Sequence, residues 1–432
     1  MGALRDAGAT QFDVIVVGAG LCGLSMAISM SLAGHRVSVF EEHRGPHEFG
    51  AGVQTSPNGT RIFEAWGLGS AMRSIATTPQ VFQIRRFDGA VLAQRRDYNT
   101  EVSDRYGHPL WMIHRVDLQE MLIRKATELG VRIFHSSKVI HVDCRKVSIE
   151  LEDASRRYGD LVVVADGVWS ELRSEVIGHE ADAQETGDVA YRITVDVSEI
   201  PFHDEELRNW VREPRIQVWI GPGAHAVVYS FRGGTQINLV LLATQELQDQ
   251  QRRVDGNVDE LKKRFEGWDP LLHKLLDYVK VVNKWRLMHV PTLERWRSDN
   301  GQVVLAGDCC HAILPYMAQG LNMALEDAAT LGFLVGRAET HEQLKEATAV
   351  YERLRMPRTE QLLRETQAIG NEFHLEPGAK QQERDKYLAK SLDSDEKGWL
   401  YPKSQDLIWS YHALDMAKKA CENNPFYAEY RA

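Results

Sequence analysis

Hydrophobic positions near the amino terminus run together first and then fall into a helical spacing. Residues 12–17 form a β-branched run that ends in glycines. Leu24, Ala27, Ile28, Ser31 and Leu32 follow at helical intervals, and Gly34 closes that predicted helix. Residues 37–40 read as the next buried strand, so the chain opens with a strand–helix–strand unit. Beyond about residue 180 the texture changes. Segments 189–197, 215–220, 225–231 and 236–242 read as strands, and the last three are joined by Gly221-Pro222-Gly223-Ala224 and Arg232-Gly233-Gly234-Thr235. Such a consecutive set predicts an antiparallel meander rather than buried parallel strands. The parallel type returns at Val303-Val304-Leu305-Ala306, which leads into Gly307-Asp308, and the chain beyond about residue 320 is mostly helical in pattern. The expected class is α/β: a Rossmann-like nucleotide-binding domain interrupted by an antiparallel β-sheet substrate domain, with a helical C-terminal region. Boundaries drawn on this pattern give 10–75, 106–182 and 285–370 to the nucleotide domain, 76–105 and 183–284 to the substrate domain, and 371–432 to the helical region.

Composition narrows the class of partner. The 432 residues are 43% hydrophobic and 26% charged, ordinary for a globular protein with a sizeable core. A formal charge of -10 disfavours non-specific attraction to nucleic acid or anionic lipid, which needs a basic surface to displace counterions. The cysteines (Cys22, Cys144, Cys309, Cys310 and Cys421) are odd in number, lack a Cys-x-x-Cys pair and show no metal-ligand spacing. That favours a reducing compartment. The first twelve residues hold no apolar core of signal-peptide length, and runs such as 161–165 are far too short to span a bilayer. The expectation is a soluble cytoplasmic enzyme with no metal, no nucleic-acid partner and no membrane partner, its oligomeric state left open.

The first chemical signal is Gly18-Ala19-Gly20-Leu21-Cys22-Gly23. In a Gly-x-Gly-x-x-Gly turn the first glycine permits the tight turn, the second lets a pyrophosphate approach the backbone, and the third lets the helix pack on the sheet. The phosphate then rests on the positive end of the helix. Glu41 ends the second strand, 23 positions after Gly18, where a carboxylate accepts hydrogen bonds from a ribose. The competing reading is a glycine-rich turn in an unrelated α/β protein, and glycine spacing alone does not separate FAD from NAD.

Further along, Asp166-Gly167 ends the strand at 161–165, and Gly307-Asp308 ends another strand before His311, Pro315, Gly320 and Asn322. With these in place the sequence resembles the class A flavoprotein monooxygenases, the salicylate-hydroxylase-like aromatic hydroxylases including fungal members. Three fingerprints occur in family order: residues 18–23, Ala165-Asp166-Gly167, and 307–311 running to Ala318-Gln319-Gly320, with residues 322–328 matching behind them. The similarity covers roughly residues 12 to 370. It implies bound FAD, NAD(P)H as co-substrate and dioxygen as oxidant. Asp308 inherits contact with the ribityl and pyrophosphate region. The segment after Pro315, through Gly320, Leu321 and Asn322, faces the flavin pyrimidine, where a helix amino end would stabilise negative charge on reduced flavin. Arg115 matches an arginine near the FAD, Gly50-Ala51-Gly52-Val53 matches a loop that approaches the cofactor, and Asp166 and Arg173 match a motif linked to both FAD and NAD(P)H. For Asp166 a turn-capping role stays open, because Asp-Gly is also a common turn. Two departures stand out: Ala312 replaces a usual proline, and the C-terminal tryptophan–tyrosine–aspartate segment is altered to Trp409-Ser410-Tyr411-His412-Ala413-Leu414-Asp415. Adjacent Cys309 and Cys310 read as small residues packed beneath the flavin rather than a redox pair.

The family mechanism is hydroxylation of a small aromatic or heteroaromatic substrate through a flavin C4a-hydroperoxide, with the cofactor carrying the hard step. Tyr191-Arg192 matches a tyrosine–arginine pair that places an active-site arginine in fungal relatives. Arg192 then binds a phenolate or carboxylate or favours proton movement; the alternative is a solvent-facing arginine on a strand. Tyr229, as a catalytic candidate, and Trp219, with Tyr191, as substrate contacts, alternate with aliphatic residues on neighbouring strands; the alternative is plain core aromatics. His225 and His311 lack ligand-spaced partners and read as structural. Three other functions compete. A flavin-dependent halogenase carries a Gly-Trp-x-Trp-x-Ile segment, which is absent here. A biosynthetic epoxidase or dearomatising hydroxylase of an indole or phenol shares the chemistry. A non-catalytic binding protein on the flavoprotein fold would lack the need for Glu41, Arg115 and Asp308.

Overall fold

A computed structural model describes residues 10–45, 52–200, 204–245, 253–393 and 402–424. Five parallel strands form the nucleotide-binding sheet, in the order Val303–Leu305, Leu161–Val164, Asp13–Val17, Arg36–Phe40 and Arg132–Phe134. Asp13–Val17 lies at its centre, with Val14 opposite both Val37 and Leu161. Both faces are covered, which is why these strands read as unbroken apolar runs rather than alternating ones. The helix Leu21–Leu32 packs on one face against the long buried helix Gly320–Val335.

The second sheet has eight strands, in the order Arg253–Gly256, Val282–His289, Gln184–Asp196, Gln236–Thr244, Ala224–Phe231, Arg215–Gly221, Val81–Arg86 and Val91–Arg96. The meander expected over the last three predicted strands is present, its tight turn pairing Gly221 with Ala224. The strand at 184–196 pairs beside Gln236–Thr244 instead of preceding Arg215–Gly221 in space, because the helix Glu205–Arg212 carries the chain across. One pairing is parallel, between Arg215–Gly221 and Val81–Arg86. One face of this sheet buries Tyr191, Trp219, Val228, Leu239 and Leu241 against the helices Val258–Arg264 and Pro270–Leu276. The other face looks toward the nucleotide-binding sheet.

Two three-stranded sheets, one of Arg156–Tyr158, Ser148–Leu151 and Val139–Asp143 and one of Gly52–Thr55, Trp111–His114 and Ala76–Thr77, complete the β structure, and the remaining elements are helices. His341–Phe373 runs 33 residues, and after it come Ala379–Asp393, Pro402–Trp409 and Ala413–Glu422. The expected α/β class, with an antiparallel sheet and a helical C-terminal region, is the observed architecture. Among the described residues no helix is long and apolar enough to cross a membrane.

Candidate active site

The glycine turn is built by close backbone contacts. Gly18 has φ +95°, and a Cβ there would stand 2.6 Å from the Ala165 carbonyl oxygen. At Gly23 a Cβ would stand 1.9 Å from the Gly18 carbonyl oxygen. Gly20 differs: nothing lies within 4 Å of its Cβ position, because that side faces a cavity. The turn thus has two glycines for packing and one for approach, the division of labour a pyrophosphate site requires. Glu41 lies behind it. One carboxylate oxygen accepts from the Ala19 amide at 2.7 Å, and the other from the His43 amide at 2.9 Å. Burial opposes ionisation of Glu41, but these amides and the His43 ring outweigh it and hold the carboxyl below its usual range.

The cavity, about 380 Å³, lies between the two sheets. Gly20, Leu21, Gly52, Arg115, Asp308, Gly320 and Leu321 line one side. Asp308 follows Gly307, whose φ of +71° turns the chain out of its strand, and its carboxylate opens onto the cavity. Surrounding protein raises the Asp308 carboxyl above its usual range, against the opposing charges of His311, Arg115 and Arg192. The first amides of the helix Gly320–Val335 point the same way and have no intrahelical acceptor. Asn322 does not line the cavity. It locks the helix start instead, its Oδ1 accepting from the Thr55 hydroxyl and the Ser56 amide while its Nδ2 donates to the carbonyl of Ala318, a residue with φ +52°.

The opposite side is a face of the eight-stranded sheet. Phe82, Ile84, Ile216, Val218, Val227, Tyr229, Val240, Leu242 and Arg192 recur there at every second position. Arg192 stands mid-strand with its guanidinium 5.1 Å from the centroid of Trp285. Tyr229 is buried, which raises its hydroxyl pKa against the opposing charges of Arg192 and Arg115. It also meets the loop: a Cβ on Gly52 would come within 2.4 Å of the Tyr229 ring, and the Gly52 amide donates to Asn238 at 2.8 Å. Gly50 and Ala51 lie outside the described residues.

Two expected substrate residues are corrected. Tyr191 and Trp219 sit one position out of phase with Arg192 and Val218, so the strand period turns them to the far face. There the Tyr191 hydroxyl donates to Gln245 at 2.7 Å and the Trp219 ring nitrogen to Asp269 at 2.8 Å. Arg173, matched to a cofactor motif, is a buried strut that donates to the carbonyls of Cys309, Ala181 and Val168. Cys309 and Cys310 are separate buried thiols, and of the cysteines it is Cys22 that lines the cavity. His225 bonds His374 at 2.8 Å and His311 bonds Asp327 at 2.6 Å. Among the described residues no cluster could hold a metal ion.

Asp166 sits behind the glycine turn, between the cavity-lining Ala165 and Gly167. Burial pushes its carboxyl up to about 6, against Ser170, Arg173 and nearby amides, and one carboxylate oxygen has no hydrogen-bond partner. An acid whose folded pKa is raised loses stability as pH climbs from its unfolded value, near 4, to its folded one. The loss here is about 3 kcal/mol. Asp166→Asn is therefore expected to remove the fall in apoprotein melting temperature between about pH 4 and about pH 6. A parent and variant offset by the same amount at every pH would show that the carboxyl titrates alike in the folded and unfolded chains.

Sequence reasoning missed a charged layer beneath the cofactor side. Arg355 donates to Glu326 at 2.5 Å and to Asp327 at 2.8 Å, all three fully buried. Asp327 also accepts from the Gly307 amide at 2.9 Å and from His311, which fixes the turn that presents Asp308. Arg358 donates to Glu326 and to the carbonyls of Leu407 and Ile408, so it joins this layer to the helix Pro402–Trp409. That helix walls the cavity with Gln405, Ile408 and Trp409, the last of which opens the altered segment noted in the sequence. The sequence signal for the layer was the charge of Glu326 and Asp327 within an otherwise apolar helix, whereas Arg355 and Arg358 lie in a helix rich in charge and do not stand out.

An open glycine cradle, a helix amino end and a carboxylate, all facing one cavity beside an apolar sheet wall, define a flavin-type dinucleotide enzyme, and these residues fit FAD. The FAD binding domain family matches residues 11–366. FAD-dependent monooxygenase OpS4 of Beauveria bassiana is 38% identical over 429 residues, 98% of this chain and 99% of its own. 3-Amino-4-hydroxybenzoate 2-monooxygenase PtnB3 of Streptomyces platensis is 30% identical over 392 residues, 90% of this chain and 95% of its own. A salicylate hydroxylase substrate complex shares the fold, with a TM-score of 0.76 at 23% identity over 95% of this chain and 98% of that one. The chain belongs to the FAD binding domain family and is an FAD-dependent monooxygenase of the class A aromatic hydroxylase type.

Proposed function

We propose that the protein uses NAD(P)H and dioxygen to hydroxylate a small aromatic or heteroaromatic substrate held against the eight-stranded sheet. The observation that carries this reading is a single cavity with a phosphate-type cradle on one side and an apolar wall bearing Arg192 on the other. In this reading Gly18, Gly20 and Gly23 shape the pyrophosphate site, and Glu41 meets the ribose. Asp308 and Arg115 hold the middle of the cofactor, and the amides of Gly320 and Leu321 face the flavin ring, where the helix end favours negative charge. Asp166 and Asn322 support these contacts from behind. When bound and reduced by NAD(P)H, the flavin would supply the electron pair with which dioxygen gives one oxygen atom to the ring and the other to water.

The chain's own residues supply what such chemistry demands. The wall of Phe82, Ile84, Ile216 and Val218 excludes water, which would otherwise divert the oxidant. The same wall holds the ring flat beside the cofactor, and this positioning lowers the barrier by prepaid orientation. Arg192 stabilises a phenolate on the substrate, making the ring electron-rich, and Tyr229, a weak acid made weaker by burial, remains a neutral hydroxyl beside it.

The test is a panel of salicylates, hydroxypyridines, resorcinols and prenylated indoles, scored by oxygenated product rather than by NAD(P)H loss alone. Arg192→Ala is expected to lower product formation by roughly a hundredfold, as for loss of one preorganised charge partner, while flavin content stays unchanged. Normal hydroxylation by that variant would remove Arg192 from the mechanism. A protein that yields no oxygenated product from any aromatic would end the reading.

A further inference from the structure

The C-terminal wall of the cavity holds a polar group that the cofactor contacts leave unused. Gln405 is 5% exposed and lines the cavity, and its amide nitrogen is buried without a hydrogen-bond partner. Its oxygen has only a long contact, 3.5 Å, with the Tyr106 hydroxyl, which donates to Asp406 at 2.7 Å. Buried donors are nearly always satisfied, so an unsatisfied one on a side chain that lines a cavity marks a place for a ligand group.

Three other polar side chains on this cavity, Ser56, Gln319 and Tyr316, are committed elsewhere. The Ser56 hydroxyl donates to Asn58, Gln319 donates to Ser56 and accepts from Asn58, and Tyr316 donates to Asp188. Gln405 is also held in place, since Arg358 grips the carbonyls of Leu407 and Ile408 and Arg105 pairs with Asp406. Around it the wall is Ile369, Phe373, Ile408 and Trp409. None of these wall side chains is charged, and the neighbouring charges, Asp406 and Arg105, are spent on each other. An anionic substituent placed here would be desolvated without a counter-charge, whereas a neutral oxygen would satisfy the amide.

We propose that Gln405 is a specificity-determining residue: its amide hydrogen-bonds a neutral ketone or hydroxyl oxygen on the aromatic substrate and selects such compounds over benzoates. This inference rests on the hydroxylase reading of the cavity and names the substrate class within it.

The experiment titrates the FAD-loaded enzyme with three resorcinols that differ at one position, following the flavin absorbance. The probes are 2,4-dihydroxyacetophenone, 4-ethylresorcinol and 2,4-dihydroxybenzoate. The ketone is expected to bind on the order of tenfold more tightly than the ethyl compound, with the benzoate weakest. Gln405→Met keeps the side-chain volume and is expected to bring the ketone-to-ethyl ratio to within about twofold, leaving ethylresorcinol binding unchanged. No preference in the parent, a preference that survives in the variant, or no spectral response to any probe overturns the proposal. Should the Met variant shed its flavin, Gln405→Asn withdraws the amide by one methylene and reads the same ratio; a retained preference there also overturns it. The hydroxylase reading fails separately, by absence of oxygenated product, whatever these binding ratios show.

Discussion

Gly23→Ala is expected to give a protein that purifies without flavin absorbance and melts far below its parent. The added Cβ would stand 1.9 Å from the Gly18 carbonyl oxygen and 3.0 Å from its carbon, both backbone atoms with no rotamer to yield. Relief requires the helix Leu21–Leu32 to move off the strand Asp13–Val17, yet that helix is buried along most of its length. Overpacking a rigid site costs about 3 kcal/mol or more. The same movement displaces the Gly20 and Leu21 backbone from the cavity, so cofactor affinity falls too, and with it the stabilisation that bound ligand confers. Melting curves with and without excess FAD separate the two losses. Full flavin content with an unchanged melting temperature would show that the helix does not depend on this contact.

The second large effect is expected from Arg355→Met. Removing the guanidinium leaves Glu326 and Asp327 buried with weakened or no compensation, a loss of about 3–5 kcal/mol. In the parent, burial opposes ionisation of both carboxyls, but Arg358, Arg355 and His311 outweigh it and hold them below their usual range. A lowered folded pKa contributes stability above the unfolded value that is lost as pH falls through the folded one, so the deficit of the variant should shrink on acidification. Asp327 also holds the Gly307 amide, and weaker FAD retention should accompany the lower stability. Neutralising the partners in the same chain, with Glu326→Gln and Asp327→Asn, should recover part of the stability, because the cost lies in uncompensated charge. A variant as stable as the parent at neutral pH would mean that solvent reaches this layer.

Local patterns gave the βαβ opening, the glycine turn and the Gly307-Asp308 strand end, because each is fixed by backbone geometry within a few residues. The phase of the substrate wall was harder to read. Both faces of the eight-stranded sheet are buried, one by helices and one by the cavity, so apolar residues occupy both phases and alternation carries no sign. Tyr191 and Arg192 are adjacent and therefore point to opposite faces, which rules out a shared pocket. Counting across the turn at Gly221 and Ala224 pairs Trp219 with Ala226, three residues from Tyr229, and so separates those aromatics as well. That count was present in the sequence. The C-terminal wall was not, because Gln405, Ile408 and Trp409 reach the cavity only through long-range contacts such as those of Arg358.

The two-faced sheet has a practical consequence for anyone reshaping the enzyme. Positions 84, 216, 218, 227 and 240 can be trimmed or enlarged while their strand neighbours keep the far layer intact, so substrate range and foldability are encoded on separate alternating tracks. Residue 52 is excluded from such editing, because the Tyr229 ring already fills the space any side chain there would need.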